Sequence, residues 1–136
     1  MINHFPFSLG SLGAIAIERP ADIEEGFSLA GPIVYNFGHT GPAGNITLYN
    51  MLVARLAQVV QMKMEADNKV KHSGVIINTC GWVKSQGYQA IIKAAHEFEV
   101  EVICVLDQER LYNELVRDLP NFVNVSMINL YDLLNE

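Results

Sequence analysis

The residue types in this chain best suited to chemistry are Thr79, Gly81 and Trp82, within the run Thr79-Cys80-Gly81-Trp82. A threonine hydroxyl can hydrogen-bond a ligand, glycine permits close backbone approach, and tryptophan offers a stacking face worth about 1–3 kcal/mol per nucleobase. As an alternative, Trp82 is a core aromatic residue that covers the edge of a sheet. Spacing alone leaves both interpretations open.

A second candidate is the pair His39-Thr40, which lies in the glycine-rich loop Gly38–Gly44. The pair could hydrogen-bond a base edge or a phosphate, or His39 could be a plain solvent-facing residue. The loop opens a predicted helix, and a helix N-terminus favours an anion. However, the loop has no lysine, and Pro42 removes one amide donor, so a simple loop and helix start is the plainer interpretation.

Two further features of the sequence, an acidic strand end and two cysteines, are explained without a binding or catalytic role. The run Asp107–Arg110 lies at a strand end and is most simply a helix start, with Asp107 as its N-cap. Cys80 and Cys104 lack the cysteine and histidine spacing of a metal site, so the sequence predicts no metal ligands. A nucleophilic Cys80 needs a basic partner that the sequence does not identify, so no catalytic residue is assigned.

These loops must be positioned by alternating strands and helices. The predicted strands are Ile33–Phe37, Val75–Asn78, Val102–Leu106 and Phe122–Ile128. The predicted helices run from Asn45 to about Ala66, from about Gln86 to Phe98, and from Asp107 to Pro120. Such alternation is typical of an α/β fold with a parallel sheet covered on both faces. Ligands bind such sheets at the carboxyl ends of the strands, where the three loops lie.

Composition limits the classes of function. The chain has 136 residues, enough for one domain, and half of them are hydrophobic, which excludes a disordered chain. The formal charge of −6 leaves no broad basic surface, so any RNA contact must be local. No apolar run is long enough to cross a bilayer, so no membrane partner is expected. The run Gly-x-x-x-x-Gly-Lys-Ser/Thr, with which P-loop proteins bind phosphates, does not occur in the sequence.

Several runs resemble the central domain of the polyribonucleotide 5′-hydroxyl kinase family of the pre-mRNA cleavage and polyadenylation machinery. They are Ile17–Ser28, Phe37–Thr40, Ile77–Trp82 and Leu106–Leu115. The resemblance covers about Leu9 to Val123, and Asn124–Glu136 diverges as a tail. We therefore expect residues 1–136 to form a single partial P-loop kinase domain, an incomplete, doubly wound and mainly parallel version of the P-loop NTPase fold.

The resemblance also implies a function. The family phosphorylates RNA 5′-hydroxyl ends with ATP and Mg²⁺, is nuclear, and acts in mRNA 3′-end processing and tRNA splicing with subunits of the cleavage and polyadenylation factor. Its RNA substrate-binding residues map onto His39, Thr40, Thr79, Gly81 and Trp82. The family usually has a second hydroxyl residue after Thr40, where this chain has a glycine, which puts one base contact in doubt.

The family's P-loop lysine, magnesium-binding hydroxyl and strand-end aspartate lie upstream of the matched runs, and its lid arginines lie downstream. Phosphoryl transfer depends on positioning and charge neutralisation, which these groups supply. We therefore expect the chain alone to be an inactive fragment of the kinase that does not bind ATP and Mg²⁺. The alternative is a non-catalytic scaffold module that binds RNA or protein in the cleavage complex.

Overall fold

The computed structural model describes residues 10–20, 22–24, 26–27 and 31–130. It divides into two compact units, Met1–Phe98 and Glu99–Glu136. Residues 9, 21, 25 and 28–30 of the predicted family-like core and residues 131–136 of the predicted tail lie outside the described residues. The expectation of a single partial domain over 1–136 stays a prediction.

The first unit combines a small antiparallel sheet with three helices. Its elements are β1 (Ser11–Ala14), β2 (Ile33–Asn36), α1 (Ile46–Ala66), α2 (Asn68–Ser73) and α3 (Gln86–Glu97). The β1–β2 ladder runs from Ser11 opposite Asn36 to Ala14 opposite Ile33. The predicted strand at Ile33–Phe37 and the predicted helices at 45–66 and 86–98 are therefore confirmed to within a residue or so.

Side-chain caps determine where α1 begins and where α2 follows it. The Oδ1 atom of Asn45 accepts a hydrogen bond from the Leu48 amide at 3.0 Å, which confirms Asn45 as the N-cap. Asp67 accepts a hydrogen bond from the Lys69 amide at 2.9 Å and so starts α2, a helix that is not among those predicted from the sequence. Gly74 then ends α2 with a positive φ of 77°, which glycine adopts at little cost.

The core of the first unit lies where α1 packs on α3 and β1. Each helix contributes one stripe of buried residues, as its three- and four-residue periodicity predicts. The buried side chains are Val53, Leu56 and Ala57 on α1, Tyr88, Ala90 and Ala95 on α3, and Phe37 after β2. The alanines on both helices allow close approach of the two backbones.

The strand predicted at Val75–Asn78 is wrong. Within the described part of the chain, no backbone–backbone hydrogen bond joins residues 75–83 to any other residue, and the segment has no regular structure. Ile76 is 93% exposed. A strand needs a neighbour to accept its hydrogen bonds, and an apolar sequence alone does not supply one.

In its described residues, 99–130, the second unit is a strand–helix–strand motif. It consists of β3 (Val102–Leu106), α4 (Glu109–Asp118) and β4 (Asn124–Ile128), with β3 and β4 paired in parallel. The helix packs on both strands and buries Leu115, which is 1% exposed. This confirms the predicted third strand and third helix, and the predicted fourth strand begins two residues later than expected.

Asp107 is not the N-cap of α4, which corrects the sequence prediction. The capping position is Gln108, whose side chain makes no capping hydrogen bond. The Oδ1 atom of Asp107 instead accepts a hydrogen bond from the Leu130 amide at 3.0 Å. The carboxylate therefore joins the ends of β3 and β4 rather than starting the helix.

The fold is mixed α/β and contains a parallel strand pair, which confirms the fold class in its coarse form. A doubly wound, mainly parallel sheet is not confirmed, because β1 and β2 are antiparallel and the described strands form two separate pairs. None of the helices in the described ranges has the length and apolarity that crossing a membrane requires.

Candidate functional site

The loop Thr79–Trp82 lies between the extended segment after α2 and the start of α3. Thr79 and Gly81 are exposed, and Trp82 is half-buried. Gly81 has a φ of 66°, in the left-handed region that glycine occupies without strain. The loop therefore presents a hydroxyl and a bare backbone to solvent while its tryptophan lies partly against the protein.

Trp82 rests on the first turn of α3. A Cβ atom placed on Gly87 would lie 2.5 Å from both Cγ and Cδ2 of the indole, and closer still to the carbonyl oxygen of Trp82. Real side chains do not approach so closely, so only glycine fits at this position. Trp82 is accordingly neither a free surface residue nor a fully enclosed core residue.

A small pocket lies beside the indole, between α1, α3 and the loop. Its lining residues are Tyr49, Thr79, Cys80, Trp82, Gly87, Ala90, Ile91 and Ala94. The cavity volume is about 10 Å³, room for about one water molecule. A nucleobase cannot enter a space of this size, so an RNA ligand would have to contact the outer face of the loop.

Tyr49 connects this pocket to the second candidate loop. Its ring meets that of Phe37 edge-on, with centroids 5.7 Å apart, and Phe37 in turn contacts the His39 ring at 5.0 Å. Burial raises the pKa of the Tyr49 phenol, and the charge of an ionised Cys80 thiol raises it further. A row of three rings, those of His39, Phe37 and Tyr49, therefore leads from the His39 loop to the pocket that Trp82 also lines.

His39 is packed against a glycine, as Trp82 is. A Cβ atom on Gly44 would lie 2.8 Å from Cβ, Cγ and Nδ1 of His39. His39 and Thr40 are both exposed, as the solvent-facing interpretation of His39 expects. Pro42–Gly44 forms a 3-10 turn that contacts both α1 and α3. The structure thus places His39 and Thr40 at the end of the first unit where α1 and α3 begin, the same end as Thr79, Gly81 and Trp82.

Part of the hydrogen-bonding capacity of the same loop is already used within the chain. The amides of Gly38, Gly44 and Asn45 donate to carbonyl oxygens of Gly10, Gly41 and Pro42, and proline has no amide hydrogen to offer. The side chain of Asn45 already caps the first turn of α1. The described residues also contain no group of three His, Cys, Asp or Glu side chains placed to hold a metal ion.

The start of α3 differs from that of α1 in having no side-chain cap, although its Gly87 amide already donates to the Lys84 carbonyl oxygen at 2.9 Å. Ser85 occupies the N-cap position with a φ of 51°, and its side chain makes no capping hydrogen bond. The exposed Lys84 precedes it. Helix N-termini attract negative charge, and a nearby lysine adds to that attraction.

Comparison with known proteins decides the family. Residues 7–133 match the family model of the mRNA cleavage and polyadenylation factor CLP1 P-loop. The chain belongs to this family. Curated relatives, each a polyribonucleotide 5′-hydroxyl-kinase Clp1, are 58% identical in Gallus gallus, 57% in Homo sapiens and 56% in Xenopus laevis, over 119 residues. These alignments cover 88% of the chain but only 27–28% of each relative.

The family match confirms the resemblance predicted from the sequence. It does not test the roles of His39, Thr40, Thr79, Gly81 and Trp82, which stay predictions. Sequence analysis missed Tyr49 and Gly87 as parts of the site. The sequence pattern identifies Tyr49 only as an apolar position on a helix, and nothing in the local sequence reveals that Gly87 meets a ring five residues earlier.

Proposed function

We propose that this chain supplies the RNA-facing loops of a nuclear ATP-dependent polyribonucleotide 5′-hydroxyl kinase. The family match and the identity of about 57% to such kinases carry the proposal. The arrangement of the two loops supports it, because the five predicted RNA-binding residues lie at one end of the first unit.

In this proposal each side chain has a separate task. Trp82 stacks on a nucleobase near the RNA 5′ end, and Gly81 lets the RNA backbone approach closely. The hydroxyls of Thr79 and Thr40 and the His39 imidazole donate or accept hydrogen bonds to base edges or phosphates. Lys84 and the uncapped start of α3 attract a phosphate of the RNA, which gives a local contact on a chain with net charge −6.

We also propose that residues 1–136 do not transfer phosphate by themselves. The printed sequence has no phosphate-binding lysine loop; within Gly38–Gly44 the amides of Gly38 and Gly44 already donate within the chain, and Pro42 has no amide hydrogen. ATP and Mg²⁺ would therefore be held by other parts of a kinase that contains this segment. Action in mRNA 3′-end processing and tRNA splicing, with cleavage and polyadenylation factor subunits as partners, belongs to the same proposal.

A chimera tests this function. The matching segment of the Homo sapiens relative is replaced by this chain, and transfer of labelled phosphate from ATP to a short 5′-hydroxyl RNA is measured. We expect activity from the chimera and none from residues 1–136 alone. In the chimera, Trp82→Ala should lower kcat/KM by about 5- to 150-fold, the equivalent of one lost stacking contact.

Phe122→Ala is the matched control, because Phe122 is 74% exposed in the second unit and has no place in the proposed site. It should leave kcat/KM unchanged. Equal activity of the Trp82→Ala and Phe122→Ala chimeras would refute the role of Trp82. A folded chimera without any kinase activity would favour the alternative, a scaffold module that binds RNA or protein without turnover.

A further inference from the structure

The two rings predicted to contact RNA, those of Trp82 and His39, each pack against a glycine. Trp82 lies on Gly87 in the first turn of α3, and His39 lies on Gly44 directly before α1. In both places a Cβ atom would come within 3 Å of ring atoms, closer than real side chains come. Neither glycine has a positive φ, so backbone conformation does not explain them.

Gly87 also stands where helix propensity disfavours it. Alanine has a higher helix propensity than glycine, and Gly87 is the second residue of α3, within its first turn. Gly41, in the same loop as Gly44, is different, because a Cβ atom there would meet nothing within 4 Å. The close ring contact is therefore specific to the two glycines beneath His39 and Trp82.

We propose that Gly44 and Gly87 are positioning residues of the RNA site. Each leaves the space that one ring occupies beside the start of a helix. This inference rests on the proposed function, since it assigns how the RNA-contacting rings are oriented. A methyl group at Gly44 would meet the His39 ring, and one at Gly87 would meet the Trp82 ring and, closer still, the Trp82 carbonyl oxygen. Either methyl group displaces the ring and removes the stacking surface, although the glycine itself does not touch RNA.

The experiment uses the 136-residue chain and a labelled single-stranded 5′-hydroxyl RNA, with affinity read from fluorescence anisotropy. The variants are Gly87→Ala, Gly44→Ala, Trp82→Ala and, as the matched control, Gly41→Ala. We expect Gly87→Ala to weaken binding by about 5- to 150-fold, as Trp82→Ala does. Gly44→Ala should also weaken it, and Gly41→Ala should bind like the wild type.

A spectroscopic measurement separates positioning from a general loss of structure. Trp82 is the one tryptophan in the chain, so its emission maximum reports on the indole alone. Gly87→Ala should shift this maximum to longer wavelength while far-UV circular dichroism stays at the wild-type value. In a chain that already carries Trp82→Ala, adding Gly87→Ala should not weaken RNA binding further, because the ring that it positions is gone.

The outcomes distinguish the two proposals. If wild type and Trp82→Ala bind RNA equally, or neither binds, the proposed function of the loop fails and the inference fails with it. If Trp82→Ala weakens binding but Gly87→Ala and Gly44→Ala behave like Gly41→Ala, only the positioning role is refuted. If Gly87→Ala fails to fold, the comparison of Gly44→Ala with Gly41→Ala still tests the positioning role, because both substitutions lie in one loop.

Discussion

Replacing Leu56 by alanine is a direct test of the core between α1 and α3. Leu56 is 7% exposed, so the change removes three carbons from a buried position. At about 0.8 kcal/mol per buried carbon the lost transfer free energy is about 2.4 kcal/mol. The cavity left behind adds to this, and buried leucine-to-alanine changes cost about 2–5 kcal/mol. We expect a loss of about 3 kcal/mol in the free energy of unfolding.

The assay is urea denaturation followed by far-UV circular dichroism. Met62→Ala is the matched control, because Met62 lies on the same helix, is 63% exposed, and has a helix propensity close to that of leucine. The control should change the free energy of unfolding by no more than about 0.5 kcal/mol. Equal effects of the two substitutions would show that this face of α1 is not part of the core.

Three further predictions follow from the described contacts. Burial raises the pKa of the Tyr49 phenol, so the neutral phenol contributes stability that is fully present below the ordinary value of 10.0 and is lost as the pH rises through the folded-state pKa. Tyr49→Phe should abolish this alkaline loss of stability in unfolding experiments. An unchanged pH profile of stability would contradict the prediction. Asn45→Ala should cost about 1 kcal/mol in thermal unfolding, whereas Ser85→Ala, at a helix start without a side-chain cap, should cost clearly less. Ile76→Lys should reduce self-association in sizing chromatography, since Ile76 is 93% exposed on an unpaired segment; identical elution of both proteins would refute this.

Local sequence signals are sufficient to predict most of the described helices and strands. Apolar residues at three- and four-residue steps predicted α1 and α3, and Asn45 marked the start of α1 correctly. The apolar run Val102–Leu106 predicted β3. These elements are determined by residues close together in the chain, so periodicity and capping chemistry identify them.

The errors arose where distant residues decide the structure. Val75–Asn78 has the composition of a strand but has no hydrogen-bonding neighbour within the described residues. Asp107 has the chemistry of an N-cap but bonds to Leu130, 23 residues away along the chain. Similarly, the tight contact of Gly87 with Trp82 depends on how a loop folds back on a helix, which residue types alone do not predict.

The parallel pairing of β3 and β4 has a consequence for how the chain folds. Every pair in its ladder, from Val102 opposite Asn124 to Leu106 opposite Ile128, joins residues 22 positions apart, with α4 filling the interval. Closing so short a loop costs little chain entropy, and short sequence separations favour fast folding. We therefore expect this strand–helix–strand motif to form early in folding, with the contacts of Leu115 already made in the folding transition state. Leu115→Ala would then slow refolding in stopped-flow experiments more than it speeds unfolding.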